Sequence, residues 1–212
     1  LANNMINPPD CYVGKEGFSK PNDTKSWQEK EDVALFKGRA TGCGSDKETN
    51  QRIMLAEKKV ELDSIGKGDY LEVIITDWSK EDRVYMKNKM TFVKAKTLTA
   101  KLDTRRQESN IEYISKGKGT AQDISISNYK YLIYIDGFGA SRQYTYLMKE
   151  EAIILKTKSY KDYKLWYFDL LTPLAEDKLN WGKADHIPIK EHFEDLKETI
   201  EWCRANTKQA RK

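Results

Sequence analysis

YKYLIYIDGFGASRQYTY, residues 129–146, is the stretch whose reading decides the fold. It opens as an unbroken apolar and aromatic run, Tyr129 to Ile135, which reads as a buried strand. The run breaks at Asp136-Gly137-Phe138-Gly139-Ala140-Ser141. Beyond Ser141 the spacing turns helical, with Tyr144 and Leu147 three apart. A strand bending through glycines into a helix is half of a β–α–β unit. In an open α/β sheet such bends lie at the carboxyl ends of the strands, where ligands bind. The N–H groups at a helix start, with the positive end of its dipole, favour a phosphate. Gly137 and Gly139 let a ligand approach the backbone, and Arg142 offers charge-assisted bonds. Two readings of this bend stand side by side. One is a hold for the diphosphate of a nucleotide sugar; the other is an ordinary β–α turn whose glycines serve packing.

The same sequence of strand, glycine loop and helix occurs earlier. Asp32 to Lys37, DVALFK, reads as a strand and runs into Gly38-Arg39-Ala40-Thr41-Gly42-Cys43-Gly44. Ser45 or Asp46 is the expected cap of a helix over Asn50 to Leu62, with Ile53, Ala56 and Val60 on its apolar face. Arg39 and Arg52 stand in that loop and in the first helical turns, where an anion would sit. Their plain alternatives are a solvated loop cation and a surface helix residue.

Further strands are expected at Tyr70 to Trp78, Glu151 to Lys158 and Asp185 to Lys190. Helices are expected at Ala121 to Asn128, Tyr160 to Leu171 and Phe193 to Lys212, the last with Phe193, Leu196, Ile200 and Cys203 on one stripe. The aromatic cluster of Tyr163, Trp166 and Tyr167 reads as core. About five strands alternating with helices predict an α/β fold, a Rossmann-like parallel sheet with helices on both faces. Residues 1–30, with Pro8, Pro9 and Pro21, read as an extended arm. Trp27 to Glu31 reads as a short turn of helix, and residues 31–212 form one domain. Residues 79–119 are rich in lysine and arginine and read as a solvated insertion, or as a basic surface for an acidic acceptor or a membrane.

Composition narrows the function. Charged residues make up 33% of the 212, yet the net charge is only +4, a mild excess that suits a small anionic ligand. No basic stripe with interleaved aromatics points to nucleic acid, so no nucleic-acid partner is expected. Three scattered cysteines, Cys11, Cys43 and Cys203, make neither a disulfide framework nor a zinc site, and two histidines exclude a His-rich metal centre. No apolar run is long enough for a transmembrane segment. Asn22-Asp23-Thr24 is a glycosylation sequon, meaningful only in the secretory path, so localisation stays open between its lumen and the cytoplasm.

From Lys30 onward the chain resembles glycosyltransferase family 90, which includes fungal capsule-associated proteins and Rumi-type protein O-glucosyltransferases. The resemblance rests on five blocks in order: FKGRATG (residues 36–42), NQRIMLA (50–56), YKYLIYIDGFGAS (129–141), EAIILK (151–156) and HIPIK (186–190) with the helix that follows. It implies the donor-binding half of a GT-B type enzyme, with the N-terminal acceptor half missing from this chain. It implies transfer of a sugar, such as glucose or xylose, from a nucleoside diphosphate sugar to a protein or glycan acceptor. The donor expected is a UDP-sugar, with no cofactor and no metal.

Residue by residue, the resemblance puts Lys37, Gly38 and Arg39 near the donor. Arg52 falls where the family has a diphosphate-binding arginine, and Gly139, Ala140 and Ser141 fall on the loop whose N–H groups meet the phosphates. Family members commonly carry an arginine two residues after that serine; here Gln143 stands there and Arg142 is one residue earlier. Pro173 to Ile187 is longer than usual. Asp136 is expected to order its loop or meet a sugar hydroxyl, and no catalytic base is assigned. Two rival functions remain: a nucleotide-sugar-binding module inactive on its own, and a basic interaction protein with no nucleotide site.

Overall fold

The computed structural model describes residues 25–42, 47–76, 83–86, 89–92, 124–137, 139–160 and 162–210. The arm over residues 1–24, the expected caps Ser45 and Asp46, Phe138, Cys11, Cys43 and most of the basic stretch 79–119 lie outside them.

Five strands make one parallel sheet. They are β1 (Glu31–Gly38), β2 (Leu71–Ile75), β5 (Tyr129–Tyr134), β6 (Ile153–Thr157) and β7 (Ile187–Ile189), in the spatial order β2-β1-β5-β6-β7. Two short strands, β3 (Arg83–Met86) and β4 (Lys89–Phe92), pair antiparallel as a separate hairpin. The helices are α1 (Gln51–Ser64), α2 (Gln143–Leu147), α3 (Leu196–Ala205) and α4 (Thr207–Ala210). Among the described residues no helix is long and apolar enough to cross a membrane.

The period-two pattern of each strand sorts its side chains between two cores. Ala34, Phe36, Val73, Tyr131, Ile133 and Leu155 meet Ile53, Leu55 and Ala56 of α1 and Leu196, Ile200 and Cys203 of α3. Leu35, Ile74, Leu132, Tyr134 and Ile154 face the other way, against Tyr144 and Leu147 of α2 and Phe168. A parallel sheet covered on both faces needs strands that are apolar on both sides, which the runs over β1, β5 and β6 supply. The crossover from β1 through α1 leads outward to β2. The one from β5 through α2 leads in the opposite direction, to β6. Connections of one hand that travel in opposite directions put their helices on opposite faces. The strand order therefore reverses between β1 and β5, and the carboxyl ends of those two strands flank a crevice.

Several expected elements differ in detail. Over its described residues Tyr160 to Leu171 is not a helix; it is irregular chain with a 3-10 turn at Phe168–Leu170. Asp162 has φ 51°, a left-handed conformation that no α-helix accommodates. Trp166 is 85% exposed, so it does not belong to the core, whereas Phe168 is buried. The long C-terminal helix begins only at Leu196, because Phe193 has φ 60°, and it breaks at Asn206. Phe193 is nonetheless fully buried against the sheet. The apolar face of α1 is rotated from the expected one. Val60 is partly exposed, while Gln51 and Arg52 are buried beside Ile53 and Leu55. Ala121 to Asn128 contributes only a 3-10 turn, Ile126–Asn128, within its described part. Trp27–Glu29 is the short turn expected there.

Candidate functional site

The first turn of α1 holds the crevice together. Its cap is Asn50, whose side-chain oxygen accepts from the N–H groups of Arg52 (3.0 Å) and Ile53 (3.3 Å). Its amide nitrogen donates to the carbonyl of Ala40 at 3.3 Å, anchoring the loop after β1. A Cβ on Gly42 would lie 2.7 Å from that amide, so only glycine fits there.

Arg52 is 5% exposed. Its Nε donates to the carbonyl of Asp136 (3.0 Å) and its Nη2 to that of Ile135 (2.9 Å). Its Nη1 donates to the carbonyl of Arg39 (2.9 Å) and to Thr41 Oγ1 (2.7 Å). The guanidinium also lies 5.4 Å from the centre of the Phe36 ring. Four of its five N–H groups are thus spent on the two loops. Burial pulls its pKa down to about 10, while nearby Tyr134 and Asp136 act the other way, so it is charged at neutral pH. The surface-helix reading of Arg52 is overturned. The direct diphosphate contact expected of it has one Nη2 proton left to serve it. The adjacent Gln51 does the same work further along the sheet. Its Nε2 donates to the carbonyls of Lys158 (2.8 Å) and Glu191 (2.9 Å), just beyond β6 and β7.

The second loop is held from below by Tyr134. Its hydroxyl donates to Asp136 Oδ1 at 2.7 Å, lies 3.1 Å from the Ser141 carbonyl, and accepts from the Ser141 N–H at 2.8 Å. The Ser141 N–H expected to cradle a phosphate is therefore already bonded. The helix behind it is short, so little dipole accumulates there. Gly137 is tightly packed: a Cβ would stand 3.0 Å from Thr41 Oγ1, which would have to give by a few tenths of an ångström, and 3.5 Å from Arg52 Nη2. At Gly139 a Cβ would meet nothing within 4 Å, so packing does not require glycine there. Gln143 returns to the carboxyl end of β1, donating from Nε2 to the Lys37 carbonyl at 2.8 Å.

The residues singled out in the sequence do gather at one end of the sheet. Gly38, Arg39, Arg52, Asp136 and Gly137 are joined by direct contacts, and Ser141 joins them through Tyr134. Ala140 is partly exposed, and Arg39 and Arg142 are exposed cations on the two loops. The Lys37 ammonium is engaged elsewhere, donating to the carbonyl of Ile124 at 2.7 Å. Thr41, Gln51, Tyr134 and Gln143 were not singled out. Tyr134 was legible, because it lies two residues before Asp136 on the same strand face.

Between the loops runs a shallow hollow lined by Gly42, Gln51, Asp136, Gly137, Ser159 and Tyr160. A larger one, about 410 Å³, opens at the amino-terminal ends of β6 and β7 beside Trp27, Trp181 and Trp202. Its lining has three carboxylates and no lysine or arginine, so it offers an anion nothing. The hollow at the strand reversal has a single carboxylate, Asp136, and no cation in its own lining, but the exposed Arg39 and Arg142 stand on the two loops beside it, which favours it for an anion.

On the α2 face, at the amino-terminal end of β7 and in the lining of that larger hollow, His186 is buried with no partner for Nδ1. Burial, helped by the charge of Lys156, lowers its pKa to about 4. A group whose folded pKa lies below its unfolded value of about 6.5 leaves stability intact above that value. Stability then falls as the pH drops toward 4. Between pH 7 and 4.5 the chain should lose about 2 kcal/mol more than a His186→Leu variant, by urea unfolding at both pH values.

Residues 13–212 match the model of the family described as Glycosyl transferase family 90. Uncharacterized protein 035R of Invertebrate iridescent virus 3 is 29% identical over 189 residues, covering 88% of this chain and 14% of that protein. Uncharacterized protein 179R of Invertebrate iridescent virus 6 is 27% identical over 224 residues, covering 100% of this chain and 16% of that protein. Protein O-glucosyltransferase 3 of Homo sapiens is 32% identical over 84 residues, covering 40% of this chain and 14% of that protein. The chain spans about one sixth or less of the length of these relatives.

Proposed function

The chain belongs to glycosyl transferase family 90, and from that premise we propose that it is the donor-binding half of a GT-B type glycosyltransferase. It takes a nucleoside diphosphate sugar, with UDP as the nucleotide and a hexose or pentose as the sugar. The acceptor, a protein or glycan, and the catalytic base come from outside these residues. The observation that carries this reading is the junction at the strand reversal. Loops from β1 and β5 meet there through the Arg52 side chain, at the end of the sheet where α/β folds bind ligands.

When the bond from sugar to diphosphate breaks, negative charge grows on the leaving oxygen. Donors fixed before the reaction stabilise that charge without reorganising. In this proposal the exposed Arg39 and Arg142 supply positive charge from the loops. Arg52 and Tyr134 fix the loop backbones, and Asp136 takes a hydroxyl of the donor. No divalent metal is needed in this scheme.

The test is isothermal titration of the chain with UDP, GDP and ADP, beside a transfer assay with UDP-glucose and UDP-xylose. UDP is expected to bind more tightly than the other two, and binding is expected to be the same with excess EDTA. Loss of binding in EDTA would overturn the metal-independent scheme. The chain's small share of its relatives' length favours a second outcome: UDP binding without turnover, which marks a donor module that needs the rest of the protein. Absence of any nucleotide response would sink both in favour of a basic interaction protein.

A further inference from the structure

Lys156 is the one charged residue inside the strand Ile153–Thr157. It pairs in register with Tyr134 on one side and Pro188 on the other. Alternation sends Ile153 and Leu155 to the α1 face, and Ile154 with Lys156 to the α2 face. There the Lys156 ammonium sits 4.6 Å from the centre of the Phe168 ring. Among the described residues it makes no hydrogen bond and no ion pair. Burial lowers its pKa, and the charge of Asp136 acts in the opposite direction from beyond bonding distance.

The surroundings are under-satisfied too. Tyr144, packed 5.2 Å from Phe168 and fully buried, has no partner for its hydroxyl. His186, 6.2 Å from Tyr144 and 8% exposed, has none for Nδ1. Along this aromatic cluster two buried polar groups and a half-buried ammonium are therefore short of protein partners, where buried polar groups are normally bonded. An ammonium half withdrawn from water with no anion bonded to it is unfavourable in the folded chain alone. A cation–π contact with phenylalanine offsets part of this cost. The strand next to Lys156 ends in Asp136, on the wall of the crevice.

We propose that the Lys156 ammonium is a direct contact of the donor's diphosphate, its missing anion being a phosphate oxygen. This rests on the reading of the crevice as a nucleotide-sugar site and adds to it the residue that grips the charge. A compact ammonium suits a phosphate as a point charge, and the Phe168 ring holds it in place from one side. With Lys37 engaged at Ile124 and Arg52 largely engaged in the loops, Lys156 adds to Arg39 and Arg142 a cation that stands beside Tyr134, the residue that holds Asp136.

The test compares the full chain with Lys156→Met and Lys156→Arg, titrated with UDP, pyrophosphate and uridine, with the Tm of each recorded. Lys156→Met should weaken UDP and pyrophosphate by tenfold or more, leave uridine unchanged, and leave Tm unchanged or raised. Lys156→Arg should keep most of the UDP affinity. Equal UDP affinity in wild type and Lys156→Met overturns the contact while leaving the nucleotide site intact. A parallel loss of UDP and uridine binding with a fallen Tm also overturns it, because that marks a packing role. A wild-type chain that binds neither UDP nor pyrophosphate removes both this contact and the site it rests on.

Discussion

Arg52→Ala should lose about 3–5 kcal/mol of unfolding stability and most nucleotide binding together. The stability loss comes from what the guanidinium leaves behind. The carbonyls of Ile135 and Asp136 and the Thr41 hydroxyl lose a charged donor in a place that water scarcely reaches. Hydrogen bonds to charged groups contribute roughly 1.5–3 kcal/mol each, and a set sharing one side chain is less than additive. Removing the buried charge itself recovers some desolvation cost, so the sum is well below four full bonds. For a chain of this size the corresponding fall in Tm is roughly 6–20 °C. Arg52→Lys should recover little of it, because one ammonium cannot reach two loops in a planar fork. Differential scanning calorimetry of both variants is the measurement. A loss below about 1 kcal/mol in Arg52→Ala would mean the loops hold each other without the clasp. A surface arginine that only met a ligand would show the reverse: weakened nucleotide binding at an unchanged Tm.

How much of this was legible in the sequence depends on which interactions are local. The strands of the sheet were, because each is a short apolar run visible within three to eight residues. The glycine loops were, and so was their arrival at one end of the sheet, because every parallel strand delivers its carboxyl end to the same side. The reversal between β1 and β5 was not, since strand order is set by which helix covers which face. The aromatic stretch 160–171 misled because Tyr163, Trp166, Tyr167 and Leu170 keep helical spacing; Asp162 at φ 51° and the outward Trp166 break it. Arg52 was legible as important and illegible in its role. Two of its partners are backbone carbonyls more than eighty residues away, and carbonyls carry no side-chain signature. The resemblance named the arginine from its position in a motif, but a motif cannot say where the guanidinium is spent. Lys156 was visible as a lone charge in EAIILKTK, yet only the fold puts Phe168 under it and withholds an anion.

Tyr134→Phe isolates the other half of the junction. The substitution keeps the ring, which packs edge-on against Tyr144 at 5.1 Å and Phe168 at 5.8 Å, and removes one oxygen. That oxygen donates to the Asp136 carboxylate and accepts from the Ser141 N–H. Desolvation, with the Asp136 charge adding, pushes the phenol's pKa far above its ordinary value, so the hydroxyl stays protonated and donates across the working pH range. Without it a buried carboxylate oxygen and a loop N–H lose their partner, at a cost of about 1–3 kcal/mol. The loss should fall on the loop over residues 136–141 more than on the sheet, since strand pairing through Tyr134 is a backbone matter. Global stability should therefore drop by about 2 kcal/mol. UDP affinity should fall by roughly tenfold or more, because the loop must then be ordered by the ligand itself. Hydrogen exchange localises the effect: amides of the 136–141 loop and of α2 should lose protection while those of β1 and β5 keep theirs. Uniform loss of protection across the sheet would assign Tyr134 to the core. Unchanged UDP affinity would mean that the ligand does not depend on the conformation of this loop, and the crevice would lose its second wall.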